Sequence, residues 1–301
     1  MKTTLKLPDI PSDAHKYSRG SLLVLAGSRR YCGAGVLTTL AAEKTGAGYV
    51  TLATPASAAL TARQHLLCSP VIEAFEDAEL GSFFEAALPA ILKEFRHISA
   101  ICCGPGMTVN ESTSAFVSDV LQYAAQKVIP LLLDADALNI LAASPQLLDK
   151  REAATPLILT PHKGELARLY VAHIEGSGAE VGESKHAPIL KVSVVDAAQA
   201  LAEKLLAVIV AKGPTTYIAG GGEVFESNEG TAALAKAGTG DVLAGIISSL
   251  LAQGMVADEA ALLGVKLHSR AGVLAEQKQG RRSVTALDVI DAIPAALAEF
   301  E

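Results

Sequence analysis

Gly238-Thr239-Gly240-Asp241 is followed at once by an apolar helical pattern, Val242, Leu243, Ile246, Ile247, Leu250 and Leu251, which Gly254 is placed to end. A glycine-rich turn feeding a helix start leaves backbone N–H groups bare. The helix end adds roughly half a positive charge, so the turn can close on an anion. A carboxylate there puts a proton acceptor beside a bound phosphate. With an ordinary aspartate pKa of about 3.9, Asp241 is expected to be ionised at neutral pH. It would take the proton of a hydroxyl attacking a terminal phosphoryl group, with Gly238, Thr239 and Gly240 lining the anion cradle. The plainer account is a glycine turn with Asp241 as a helix-start residue. No G-x-x-x-x-G-K-[ST] occurs, so a nucleotide would be held otherwise than by a P-loop.

Other residues suit the same chemistry. Lys212, followed by Gly213, Thr215 and Thr216, is placed to meet a nucleotide phosphate, or is simply a solvated strand-end lysine. Glu165, three residues after His162, can hold a hydrated Mg²⁺, which commonly keeps several waters and one or two carboxylates. An ordinary first-turn glutamate has the same sequence context. His162 can hydrogen-bond a substrate. Asp134 and Asp136 can order the pocket, although Asp136 is as well placed to cap the helix that follows. His268 lies in an apolar helical pattern and reads as a packed helix residue.

Short apolar runs must position these residues. Strands are expected over Ser21–Ala26, Tyr49–Ala53, Ile98–Cys103, Val128–Leu133, Leu157–Thr160 and Leu206–Ala211. Helices are expected near 34–45, 56–64, 83–95, 112–126, 136–142 and 195–205. Tyr217–Phe225 reads as a hairpin around Gly220-Gly221-Gly222, and 241–253, 258–278 and 285–298 as helices. His173–Pro188 is a polar surface loop or lid by composition. Strand–helix alternation with apolar strands means an α/β fold, a mostly parallel sheet covered by helices on both faces. Such sheets bind ligands beyond the carboxyl ends of their strands. Five of those ends carry glycine or polar clusters: Gly27-Ser28, Gly104-Pro105-Gly106, Asp134-Ala135-Asp136, Pro161-His162-Lys163-Gly164-Glu165 and Lys212-Gly213.

Composition narrows the classes. The 301 residues are compatible with one large α/β unit, and 50% hydrophobic residues supply its core. The net charge of −7 argues against nucleic-acid binding. No uninterrupted apolar stretch of about 18 residues suggests a membrane span. Cys32, Cys68, Cys102 and Cys103 lack metal-ligand spacing and fit reduced thiols in a cytoplasm. The apolar surplus points to a homo-oligomer.

The motifs also occur in a familiar order. Gly27-Ser28 with Tyr31 and Gly33-Ala34, Thr45-Gly46-Ala47-Gly48, Gly104-Pro105-Gly106, Asp134-Ala135-Asp136-Ala137-Leu138-Asn139, Thr160-Pro161-His162 with Gly164-Glu165, Lys212-Gly213, and Gly238 through Gly245 follow one another. Together they resemble the ADP/ATP-dependent NAD(P)H-hydrate dehydratases of the ribokinase-like superfamily, from about Gly20 to the C-terminus. The resemblance implies a ribokinase-like three-layer sandwich as a single domain over 1–301, without an N-terminal epimerase domain. It implies repair of the S-form of hydrated NADH or NADPH, with Mg²⁺ and with ADP or ATP as phosphoryl donor. The C6 hydroxyl would be phosphorylated and phosphate then expelled. Ala34, Gly106, His162 and Asp241 would contact the hydrated nucleotide. Lys212, Gly213, Pro214, Thr215 and Thr216, with Gly240, would hold the AMP part of the donor. A tetramer is the oligomer the resemblance implies.

Two positions depart from the family pattern. Gly230-Thr231-Ala232-Ala233-Leu234-Ala235 stands where the family often reads Gly-Asn-Pro-Gly-Met-Ala, and Lys163 replaces a proline. The competing expectation is a ribokinase-like kinase of a thiazole or pyrimidine alcohol that releases a stable phosphorylated product. A non-catalytic nucleotide sensor and a dinucleotide oxidoreductase fit less well, the latter because no G-x-G-x-x-G opens the first helix.

Overall fold

The computed structural model describes residues 5–95, 97–149, 154–176 and 188–301. The chain runs β1 (Ser21–Leu25), α1 (Cys32–Thr45), β2 (Tyr49–Pro55), α2 (Ala56–His65) and β3 (Val71–Ala74). A small ribbon, β4 (Glu76–Asp77) and β5 (Ser82–Phe83), and a short α3 (Leu88–Leu92) lead to β6 (Ala100–Cys103) and α4 (Glu111–Lys127). Next come β7 (Leu131–Leu133), α5 (Asp136–Ala143), β8 (Leu157–Leu159), α6 (Lys163–Tyr170), α7 (Val194–Leu205) and β9 (Val208–Ala211). The hairpin β10 (Thr216–Gly220) and β11 (Glu223–Ser227) precedes α8 (Thr239–Ala252), α9 (Ala257–Gln279) and α10 (Ala286–Leu297).

Among the described residues the main sheet has nine strands in the order β11-β10-β9-β8-β7-β6-β1-β2-β3. Along that order every neighbouring pair from β9 to β3 is parallel, and the β10–β11 hairpin closes one edge antiparallel. Alternate residues of each strand point to opposite faces. Leu22, Val24, Leu52, Cys102 and Ile158 accordingly pack with α1, α8, α9 and α10. Leu23, Leu25, Ile101, Cys103 and Leu159 pack on the other side with α4, α5, α6 and α7. Both faces are covered, so the expected three layers are present. Cys102 and Cys103 are buried core residues, and burial pushes both thiols upward.

Several boundaries differ from the expectations. The helix expected over 83–95 is split into strand β5, a 3₁₀ turn at Glu85–Ala87 and α3. Pro89 pins a helix start there, which a helix running through from 83 cannot accommodate. The strands expected from Val128 and Leu206 begin later, because those two residues take left-handed conformations ending α4 and α7. β3 was absent from the expectations; it is a four-residue edge strand. Of the segment His173–Pro188, His173 belongs to a π-helical turn at Val171–Glu175, and residues 177–187 lie outside the described residues. Gly254 ends α8 as expected: it is left-handed and its N–H donates to Leu251 O at 3.0 Å.

Candidate active site

β1 and β6 are neighbours, yet the chain leaves them in opposite directions, towards β2 and β3 on one side and β7 to β9 on the other. That reversal opens a crevice at the strands' carboxyl ends. The two loops flanking it touch. Gly27 N donates to Pro105 O at 2.8 Å. Gly106 has a φ of 64°, and a Cβ there would lie 2.8 Å from the Cβ atoms of Ala34 and Tyr31. Ala34 and Gly106, far apart in sequence, therefore form one surface that a larger side chain would fill.

Beyond β7, β8 and β9 a charged cluster assembles. Lys212 Nζ lies 2.6 Å from Asp134 Oδ1, with the lysine side chain 19% exposed and the aspartate 2%. Thr160 donates its hydroxyl to the same oxygen at 2.7 Å. β8 and β9 continue briefly past their ends, so His162 and Lys212 pair side by side and Lys212 N donates to Pro161 O at 2.8 Å. Burial pulls the Lys212 ammonium down, but Asp134, Glu165 and Asp241 outweigh it and the net shift is upward. It is a cation held by carboxylates.

His162 and Glu165 interlock at the start of α6. The His162 imidazole accepts from Gly164 N at 2.9 Å through Nδ1, while Glu165 Oε2 accepts from His162 N at 2.9 Å. Each satisfies an end of the helix that would otherwise lack a partner. Glu165 Oε1 lies 3.3 Å from His162 Nε2. Burial, together with Lys212 and Arg168, lowers the His162 pKa, so the ring is neutral at pH 7. Burial raises Glu165 to about 7 against the opposing pull of Lys212.

At the start of α8 no side chain caps the helix. Gly238 is left-handed there, with a φ of 91°. The Thr239 hydroxyl is occupied, donating to Leu234 O at 2.7 Å and to Lys236 O at 2.8 Å. The Gly240 and Asp241 amides have no acceptor among the described residues, and as first-turn groups they have none within the helix. A Cβ on Gly240 would sit 3.6 Å from Lys212 Nζ, so these amides adjoin the ammonium. The ordinary pKa expected of Asp241 is not found. Burial raises it to about 7, Asp134 and Asp136 add to the rise, and Lys212 opposes it.

Asp136 does not cap α5. It lies in the first turn, and its Oδ2 accepts from Thr108 N at 2.9 Å, tying the Gly104–Thr108 loop to the cluster. Thr108 and Ala135 both have positive φ, 66° and 51°, a conformation that costs a non-glycine residue about 1–3 kcal/mol. Nothing in the sequence marks either residue. Arg29, also unforeseen, donates to Ala78 O and Glu79 O and so ties the β4–β5 ribbon to the loop after β1.

Among the described residues no group of three or more His, Cys, Asp or Glu is arranged to hold a metal ion directly. Both Glu165 oxygens already face His162. These donors fit a hydrated Mg²⁺ carried on nucleotide phosphates better than an ion held in a protein cage. No helix among the described residues is long and apolar enough to cross a membrane.

A family model described as NAD(P)H-hydrate dehydratase matches residues 22–295. The bifunctional NAD(P)H-hydrate repair enzymes of Thermofilum pendens and Moorella thermoacetica are 35% and 33% identical over 97% and 98% of this chain. The chain spans about half the length of these curated relatives, 52% in each case. A Bacillus subtilis ADP/ATP-dependent NAD(P)H-hydrate dehydratase, co-crystallised with ATP and Mg²⁺, superposes with a TM-score of 0.77 at 30% identity, covering 98% of this chain and 95% of that one. The ribokinase-like sheet, the charged crevice at its carboxyl ends and these matches lead to one assignment: the chain belongs to the NAD(P)H-hydrate dehydratase family.

Proposed function

We propose that the chain, acting as one domain, uses ADP or ATP to phosphorylate the C6 hydroxyl of hydrated NADH or NADPH and then eliminates phosphate to restore the reduced nicotinamide. The observation that carries this reading is the Asp241 carboxyl at the uncapped start of α8, beside open amides and the Lys212 ammonium.

In this reading Asp241, once ionised, accepts the proton as the C6 oxygen attacks the donor's terminal phosphorus. The bond to the leaving ADP, or AMP when ADP is the donor, breaks as the new P–O bond forms. The amides of Gly240 and Asp241, with Gly238 and Thr239 shaping the turn, stabilise the charge on the transferring group. Lys212 faces the donor's phosphates, and Gly213, Pro214, Thr215 and Thr216 bind its AMP portion. Phosphate then departs from C6 with its bonding pair, assisted by the ring nitrogen, and loss of the C5 proton forms the C5–C6 double bond. Hydroxide is a poor leaving group and phosphate a good one, so the kinase step makes a dehydration feasible.

Ala34 and Gly106 form the surface for the hydrated ring, and neutral His162 can hydrogen-bond it. Mg²⁺ bound with the nucleotide neutralises phosphate charge, with Glu165 as an outer partner through water. The acidic net charge supports a nucleotide substrate over a nucleic acid. A cytoplasmic setting fits the four free cysteines. Exposed Leu60, Leu67 and Phe75 support a homo-oligomer, with a tetramer as the form to test by light scattering.

The test mixes pure protein with hydrated NADH, Mg²⁺ and either ADP or ATP and follows NADH absorbance. Recovery that requires a donor is expected. Absence of recovery with both donors, alongside phosphorylation of a thiazole or pyrimidine alcohol, would replace this reading with that of a small-alcohol kinase.

A further inference from the structure

Resting on the dehydratase reading, we infer that Asp136 is a positioning residue for the hydrated ring. It latches Thr108 in a strained conformation and so keeps Gly106 in the surface that receives the substrate. Gly104-Pro105-Gly106-Met107 forms a tight turn, closed by Met107 N donating to Gly104 O at 3.2 Å. Proline at its second position and Gly106, with a φ of 64°, at its third suit a type II turn. The first half is moored to the sheet. Gly104 N donates to Leu25 O at 3.1 Å, and Gly27 N to Pro105 O at 2.8 Å.

The second half depends on Thr108. Met107 is fully buried in the core on the α4 side, and the chain turns back immediately after it. Thr108 has a φ of 66°, a region that a β-branched side chain rarely enters. Two bonds hold it there. Thr113 donates its hydroxyl to Thr108 O at 3.0 Å, and Asp136 Oδ2 accepts from Thr108 N at 2.9 Å. Thr113 belongs to the cap of α4, whereas Asp136 reaches across from the next strand end, 28 residues along the chain.

The latch joins two strained positions, because Ala135, just before Asp136, also has a positive φ of 51°. Such strain persists only where the surroundings over-determine it. Without the carboxylate, Thr108 would relax towards negative φ and the turn before it would shift. Gly106 leaves no slack for that: a Cβ there would lie 2.8 Å from the Cβ atoms of Ala34 and Tyr31. A shifted turn lowers the fraction of molecules with a competent pocket, and apparent affinity falls with that fraction. The donor's site, built on Lys212 and the start of α8, does not include this turn.

The test uses Asp136→Ala, Asp136→Asn, Thr108→Gly and the Asp136→Ala, Thr108→Gly pair, each confirmed folded by its melting curve. KM is measured for hydrated NADH and for ATP, and amide exchange over residues 104–108 is followed by mass spectrometry. Asp136→Ala is expected to raise KM for the hydrate about 10-fold or more, the scale of one hydrogen bond to a charged group. KM for ATP should stay within about twofold, and exchange over 104–108 should quicken. Asparagine and alanine both remove the charge, but asparagine keeps an acceptor oxygen, so Asp136→Asn should recover most of both effects. Glycine takes positive φ without strain, so in the Thr108→Gly background Asp136→Ala should raise KM about threefold or less. An unchanged KM for the hydrate in Asp136→Ala would overturn the inference. So would an equal rise in both KM values, an asparagine variant as impaired as alanine, or an undiminished loss in the Thr108→Gly background. Should the parent protein lack dehydratase activity, that reading fails by itself, and amide exchange across the variants still decides whether Asp136 holds the turn.

Discussion

Lys212 and Asp134 form a short, largely buried ion pair, 2.6 Å between Nζ and Oδ1, placed where β7 and β9 end. Thr160 donates to the same aspartate oxygen, so the carboxylate holds the lysine in one place rather than merely near it. The ammonium stands between Asp134 and the start of α8. Breaking such a pair from one side leaves a buried charge without compensation. Asp134→Ala is expected to destabilise the fold by about 3 kcal/mol and to raise the donor's KM. Urea denaturation and steady-state kinetics check both.

Asp241→Asn keeps the size of the side chain but cannot accept a proton. Turnover is expected to fall roughly 10²- to 10⁴-fold, the usual scale for a positioned general base. Single-turnover measurement of phosphoryl transfer decides the matter, and near-parental rates would remove Asp241 from the role.

The pH dependence follows from the raised Asp241 carboxyl. Only its ionised form can act as a base, so kcat/KM is expected to rise with pH through about 7 and then level off. Lys212→Met removes the cation favouring the ionised form, and the acid limb should move to higher pH. A limb that stays in place in that variant would show that another group controls it.

Stability should respond in the opposite sense. The folded protein holds a proton on Asp241 up to about pH 7, whereas the unfolded chain loses it near the ordinary aspartate value of about 3.9. Between those values the folded state binds more protons, so rising pH destabilises it. Asp241→Asn should therefore melt higher than the parent at pH 8. The gap should shrink as pH falls below 7 and vanish near 4. Melting curves across that range test the sign.

α1 and α8 approach closely because Gly245 has no side chain: a Cβ there would lie 2.3 Å from Thr38 O. Gly245→Ala should force the helices apart and cost about 1–3 kcal/mol. Because α8 begins at the cradle, activity should become heat-sensitive in parallel. Thermal inactivation alongside equilibrium unfolding would test that link.

Much of this arrangement is legible in the residue pattern because strand alternation and glycine placement are local. Runs such as Leu22–Leu25 and Ile101–Cys103 announce strands covered on both faces, and the clusters after them mark the crevice. What is not legible depends on three-dimensional closure. Thr108 and Ala135 adopt positive φ without glycine, held by their surroundings. Val128 and Leu206 do the same at helix ends and so shift the strand boundaries. The Asp241 shift arises from burial and from Asp134, over a hundred residues earlier, which local sequence cannot show.

The crowding of Asp134, Glu165 and Asp241 around a single ammonium, with Asp136 beside Asp134, has a thermodynamic corollary. The resting crevice stores protons near neutrality, and a donor nucleotide arriving with its divalent ion must displace some of them. Its binding heat should then vary with the ionisation enthalpy of the buffer. Its affinity should strengthen from about pH 6 to about 8 as the displaced protons become easier to lose. The pocket would thus couple occupancy to local acidity before any bond is made or broken.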